Sequence, residues 1–206
     1  MEENMYIKKL EDEILYKPKD YENINNKLVE IKKIKFSTLE FIIFHEPLPA
    51  KRTRTVFKTK RFYVPDAMNN KKTIQKIFKE QLPKDFELIK GEIILDIKCY
   101  FPLIKNFSKI DKFLAEKGII RPITKPDVDN LEKTYMDSCN KFLWWDDSQI
   151  IDARTRKYYS IEPRVEVKVK YRNKLLSAIF NSYFKNKQKN LGKKKLKKKG
   201  NNNNGK

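Results

Sequence analysis

The sequence predicts an α+β domain in which a small mixed β-sheet carries packed helices. Two stretches, GEIILDIKCYF (residues 91–101) and RVEVKVKY (164–171), alternate apolar and polar residues with the period of a half-buried strand. Two others, 66–82 and 128–142, repeat apolar residues at steps of three and four, the period of an amphipathic helix. The segments follow one another as β–β–α–β–insert–α–β–β, an order that interleaves strands and helices around one core. With 206 residues, the chain has ample length for one such domain plus extensions.

Residues 1–35 read as a partly helical N-terminal extension, with Leu10, Ile14, Leu15, Leu28 and Ile31 spaced for helical turns. The core, 36–173, opens with the strand-like run FSTLEFIIF (36–44), which Pro47 and Pro49 break. In KRTRTVFKTKRFYVP (51–65), Lys51, Arg52, Arg54, Lys58, Lys60 and Arg61 alternate with Thr, Val and aromatics. That pattern suits an edge strand kept soluble by charge, or a hairpin that grips phosphates. Helix 66–82 turns Ala67, Ile74, Ile77, Phe78 and Leu82 inward, and Pro83 ends it. Strand 91–101 has Ile93, Leu95, Ile97, Cys99 and Phe101 on its inner face, and Asp96 reads as a surface residue on the other. Phe107, Ile110, Phe113 and Leu114 predict a short helix before Gly118 and Pro122 loosen the chain. Residues 150–159 form a strand carrying Arg154, Arg156 and Lys157, and a last strand turns Val165, Val167 and Val169 inward. Residues 174–206 read as a short amphipathic helix and a disordered basic tail, whose ten lysines from Lys185 onward supply half of the net charge of +20.

That charge, with an isoelectric point near 9.7, calls for a polyanionic partner, nucleic acid ahead of an anionic membrane surface. No run of about eighteen apolar residues is present, so neither a membrane span nor a signal peptide is expected. Cys99 and Cys139 are too few for a disulfide framework or a zinc site, which fits a reducing, intracellular setting. The lone His45 reads as packing near a strand end, and no small-molecule cofactor is expected.

Against this basic background, KPDVDNLEKTYMDSCNKFLWWDDSQII (125–151) concentrates acids. Val128, Leu131, Tyr135, Cys139 and Phe142 define one apolar helix face, while Asp129, Lys133 and Asp137 define another. Pro126 suits the position before a helix; Asp127 or Asp129 suits its cap, and Asp129 with Glu132 has capping-box spacing. The aspartates therefore read either as caps and turn formers, or as hard oxygen ligands for Mg²⁺. A strand returning beside the helix would bring Asp147 to the Asp127/Asp129 pair, and gathering like charges favours a cation.

The run K-P-D-V-D-N-L-x-K, then Asp137, then W-x-D-D-S-Q-I, resembles the RusA family of Holliday junction resolvases. The resemblance extends from Phe41 to Tyr171 and is tight over 125–151. It departs at the helix end, where the family commonly has Gly and this chain has Ser138-Cys139-Asn140-Lys141, so Asn140 is expected to take the left-handed closing conformation. Trp145 stands where the family usually has a polar residue. The resemblance implies a RusA-like homodimer that resolves four-way DNA junctions by paired symmetric nicks in recombination, repair or replication. It implies that Asp127, Asp129 and Asp147 bind Mg²⁺, with Mn²⁺ as a substitute, that Asp146 is a further ligand candidate, and that Lys133 is the active-site lysine. Lys51, Arg52, Arg54, Lys58, Arg61, Arg154 and Arg156 are the candidate DNA contacts. Two other readings stand beside it: a flap- or branch-cutting nuclease with the same carboxylates, and a nonenzymatic basic protein that binds nucleic acid. The expected location is with DNA, in a bacterial or phage-infected cell or a viral replication site. KKKLKKK adds a nuclear import signal if the host has a nucleus.

Overall fold

The computed structural model describes residues 18–50, 54–56, 61–63 and 67–173, with side chains described for 22–50 and 71–173. Helix α1 (Pro18–Lys32) lies in one compact unit; Phe36–Leu175 form the other. The second unit contains β1 (Ser37–Ile43), β2 (Arg54–Val56), β3 (Arg61–Tyr63), α2 (Ala67–Gln81), β4 (Ile93–Pro102), α3 (Lys109–Glu116), α4 (Val128–Cys139), β5 (Ile150–Ser160) and β6 (Arg164–Tyr171). The expected amphipathic helix and basic tail of 174–206 fall outside the described residues, as do Lys51, Arg52 and Lys58.

Four strands make one mixed sheet in the order β1–β6–β4–β5. β6 is antiparallel to both β1 and β4, and β4 runs parallel to β5. The alternation legible in β4 and β6 places Ile93, Leu95, Ile97, Cys99, Val165, Val167 and Val169 on one buried face. Phe41 and Ile43 of β1 extend that face, and Phe78 of α2 packs edge-on against Phe41 with ring centroids 4.6 Å apart. Leu131, Tyr135 and Cys139 of α4 close the layer. Burial raises the Cys99 thiol to about 12 and pushes Cys139 well up, so both are neutral apolar fillers.

A parallel pair cannot be joined by a tight turn, so the chain must cross from the end of β4 to the start of β5. The crossover carries α3 and α4. Ser108 and Asp111 cap α3 reciprocally, as a Ser three residues before an acid permits. The predicted apolar face of α3 is only partly used: Leu114 is half-buried and Ala115 buried, whereas Ile110 and Phe113 are exposed. Val128, expected to point inward, is also exposed, so the buried face of α4 begins at Leu131.

The end of α4 differs from expectation. Asn140 keeps a negative φ with extended backbone (φ −59°, ψ 126°), and it is Lys141 that takes the left-handed conformation (φ 63°). The turn 139–144 explains this: Leu143 N–H bonds to the Cys139 carbonyl (2.7 Å) and Lys141 N–H to that of Trp144 (2.7 Å), which reverses the chain at Lys141. A side chain in this conformation costs roughly 1–2 kcal/mol, against roughly 0.5–1 for the extra freedom of an unfolded glycine. Lys141→Gly is therefore expected to stabilise the protein by about 0.5–1 kcal/mol. A denaturant midpoint unchanged or lowered in that variant contradicts the assignment.

Candidate active site

Asp127 occupies the cap position of α4 with extended backbone, yet its side chain makes no capping hydrogen bond. A cap aspartate normally spends its carboxylate on the helix's free N–H groups; this one is left for another use. The Asp129–Glu132 capping box does not form, because the helix starts after Asp127 and Asp129 lies within its first turn; Glu132 accepts from Thr155 Oγ1 on β5 (2.7 Å). Asp129, Lys133 and Asp137 are all exposed, as their spacing predicts, opposite the buried Leu131, Tyr135 and Cys139. Two contacts hold this end in place. Lys157 Nζ on β5 donates to the carbonyls of Thr124 (2.7 Å) and Pro126 (3.1 Å), clamping the approach to Asp127. Ala50 N–H donates to the Asn130 carbonyl (2.9 Å), and Leu48 N–H to the Tyr135 hydroxyl (3.3 Å). The segment 48–50, which precedes the β2–β3 hairpin in sequence, is thereby fastened to the first turns of α4. In that hairpin Arg54 pairs with Tyr63 and Arg61 with Val56, so the basic run does fold into an antiparallel pair.

The second acidic turn is built differently. Asp146 is consumed in capping: its Oδ1 accepts from Ser148 N–H (3.2 Å) and Ser148 Oγ (2.7 Å). Gln149 reciprocates by accepting from Asp146 N–H (2.8 Å) while its amide donates to the carbonyls of Ile89 (3.1 Å) and Gly91 (2.8 Å). Buried Gln149 is thus the peg that fixes this turn to the start of β4. Asp147 accepts one hydrogen bond on each oxygen, from Asn140 Nδ2 (2.7 Å) and from Trp144 Nε1 (2.8 Å). Trp144 is fully buried, as an aromatic before the acidic turn is expected to be, and its indole N–H finds Asp147 as partner.

The two acidic motifs lie at opposite ends of α4. Asn140 at its C-terminus touches Asp147 at the start of β5, while Pro126 at its N-terminus is held by Lys157, seven residues along that strand. Helix α4 therefore runs opposite to β5, and its 12 residues span about 18 Å at ~1.5 Å per residue. The expectation that Asp147 would join Asp127 and Asp129 is corrected on this point: a strand returning antiparallel to the helix brings Asp147 to the helix's far end. Among the described residues no three His, Cys, Asp or Glu groups are gathered to hold a metal ion.

The strand arginines are also placed apart from the acids. Arg154 and Arg156 pair in register with Asp96 and Lys98, whose side chains point away from the core, so they stand on the sheet face opposite α4. Arg156 donates to both oxygens of Asp96 (2.6 and 2.5 Å). A groove of about 1040 Å³ crosses this outer face, with Lys168–Glu40 (2.6 Å) and Lys98–Glu166 (3.5 Å) paired along it. Lys157, one residue on, faces α4 instead. Gln149 and Thr155 carry no signal in the sequence pattern, and Lys157 and Asn140 are legible there only as a strand cation and a helix closer, not as hydrogen-bonding anchors. Alternation along 150–159, counted from Ala153, is the signal that separates Lys157 from its arginine neighbours.

Residues 45–170 match the family model of the endodeoxyribonuclease RusA. A relative 35% identical over 137 residues is the uncharacterized protein YqaN of Bacillus subtilis strain 168, with 64% of this chain and 95% of the relative covered.

Gln149 ties the acidic turn to the segment leading into β4, and its removal leaves the Gly91 carbonyl and the Asp146 N–H without their side-chain partner, while the Ile89 carbonyl keeps Trp145 N–H (3.3 Å). Gln149→Ala is expected to destabilise the fold by about 3 kcal/mol in chemical denaturation. A loss under about 1 kcal/mol would show that the peg is dispensable.

Proposed function

Because the chain belongs to the RusA family of endodeoxyribonucleases, we propose that it resolves four-way DNA junctions as a homodimer whose acidic motifs complete each other across the subunit boundary. The observation that carries this reading is the separation of Asp127 and Asp129 from Asp147 by the length of α4. One protomer cannot bring these carboxylates to a single ion. Two protomers related by a two-fold axis can, if the N-terminal end of one α4 meets the C-terminal end of the other. The same contact then occurs twice, as an isologous interface requires. Two composite sites give two nicks, which matches the two-fold character of a four-way junction.

The donor chemistry suits a hard divalent ion. All three candidates are carboxylates; Asp127 is free of capping duty and Asp147 is held by neutral donors. Mg²⁺ takes one or two carboxylates and completes its shell with water and phosphate, and Mn²⁺ accepts similar ligands. When bound, the ion supplies positive charge at the scissile phosphate and a means of activating water. Lys133, exposed one helical turn beyond Asp129, holds an ammonium where negative charge develops on the phosphate oxygens. Asp146, already occupied by Ser148, supports the turn. The β2–β3 hairpin, which follows Ala50 in sequence, carries Arg54 and Arg61, and with Lys51, Arg52 and Lys58 grips the DNA backbone. Arg154 and Arg156, on the outer sheet face, take no phosphate in this reading.

The test is cleavage of a labelled mobile four-way junction, alongside flap and linear duplexes, with Mg²⁺ or EDTA. Asp127→Asn and Asp147→Asn are each expected to bind the junction but not cut it. Co-expressed and purified as a mixed dimer, the two variants regain one intact site per dimer, so nicking returns to about half the wild-type site number, as single unpaired nicks. A mixed dimer as inactive as either parent places all three acids in one chain. A junction bound but intact in both Mg²⁺ and Mn²⁺ ends the nuclease reading.

A further inference from the structure

We propose that Asn140 and Trp144 are positioning residues that set the plane of the Asp147 carboxylate for the ion, an inference that rests on Asp147 being a metal ligand. Each Asp147 oxygen receives one donor, Asn140 Nδ2 on Oδ2 (2.7 Å) and Trp144 Nε1 on Oδ1 (2.8 Å). Two donors on two oxygens fix both the position and the rotation of the carboxylate, which a single bond would leave free to swing. Each oxygen keeps a further lone pair for a ligand.

Both donors are themselves immobilised. Trp144 is fully buried and its carbonyl accepts from Lys141 N–H (2.7 Å). Asn140 is the C-cap of α4, with its N–H on the Met136 carbonyl (2.9 Å). The clamp thus lies within residues 140–147 and is complete before any partner arrives.

The choice of donors is informative. A carboxylate at the negative end of a helix is poorly placed, and a lysine or arginine would ordinarily neutralise it. The donors here are an amide and an indole, both uncharged. They orient the carboxylate while leaving its charge for a cation, which a guanidinium in the same place would repel. The Asn140 amide also accepts a local penalty: Oδ1 is buried with no hydrogen-bond partner. Turning the amide over would set that oxygen against Asp147, so the carboxylate dictates its direction. A group that leaves a buried acceptor unmatched in order to serve a neighbour is under a constraint beyond packing. Ligand carboxylates are commonly oriented by such outer partners, whose loss weakens metal affinity roughly 10–100-fold.

The experiment compares wild type, Asn140→Ala, Trp144→Phe and Asp147→Asn. The readouts are Mn²⁺ binding by electron paramagnetic resonance without DNA, Mg²⁺ titration of junction cleavage, junction binding in EDTA, and thermal melting. Asn140→Ala removes a half-buried side chain and spares the core, so it keeps the test alive if Trp144→Phe fails to fold. Folded Asn140→Ala and Trp144→Phe are expected to bind the junction within about twofold of wild type in EDTA. Their Mn²⁺ dissociation constant and half-saturating Mg²⁺ are expected to rise by about 10-fold or more. Unchanged metal affinity and Mg²⁺ dependence in folded Asn140→Ala, beside an inactive Asp147→Asn, overturns the clamp alone. Wild-type cleavage and metal binding by Asp147→Asn overturns the role of Asp147 itself, and the clamp with it.

Discussion

The parallel pairing of β4 with β5 is the constraint from which the site follows. Parallel neighbours need a long crossover, and here it holds α3, α4 and both acidic motifs between Pro102 and Ile150. Because β5 must restart at the same edge as β4, the helix leading back to it runs opposite to both strands. That direction sets Asp127 and Asp129 at one end of the domain and Asp147 at the other. A single geometric necessity thus separates the two acidic motifs within one chain, which is what the proposed composite site of a dimer starts from.

The two faces of the sheet divide the electrostatic labour. On the inner side, Thr155 and Lys157 reach toward α4 and fix the acidic end through Glu132 and the Thr124 and Pro126 carbonyls. On the outer side, Asp96–Arg156, Glu40–Lys168 and Glu166 with Lys98 and Arg164 pair off charge against charge. Such half-exposed pairs contribute little to stability, but they neutralise a face of a protein whose net charge is +20.

Much of this was legible in the residues. Period-two alternation gave the buried faces of β4 and β6, since each has one face in the core, and the spacing of Leu131, Tyr135 and Cys139 gave the buried side of α4. The run from Lys125 to Ile151 was legible as a family motif, and the chain does belong to that family. What escaped was direction and partnership. Spacing along α4 cannot say which of its ends a returning strand will meet, so Asp147 was brought to the wrong end. A left-handed residue is hard to foresee at a lysine, so Asn140 was expected where Lys141 stands. Arg154 and Arg156 read as free cations because the acid that holds Arg156, Asp96, lies 60 residues away in sequence. Asn140, Gln149 and Lys157 act through hydrogen bonds to backbone or to a carboxylate, and no periodicity announces such bonds.

The most direct test of a site shared between protomers is to locate the ion. Crystals of the protein grown with Mn²⁺, measured at a wavelength where manganese scatters anomalously, report its position without reference to activity. The account predicts two equivalent peaks per dimer, each between Asp127 and Asp129 of one protomer and Asp147 of its partner. A peak held by the acids of one chain alone, or none at these carboxylates under saturating Mn²⁺, would contradict it.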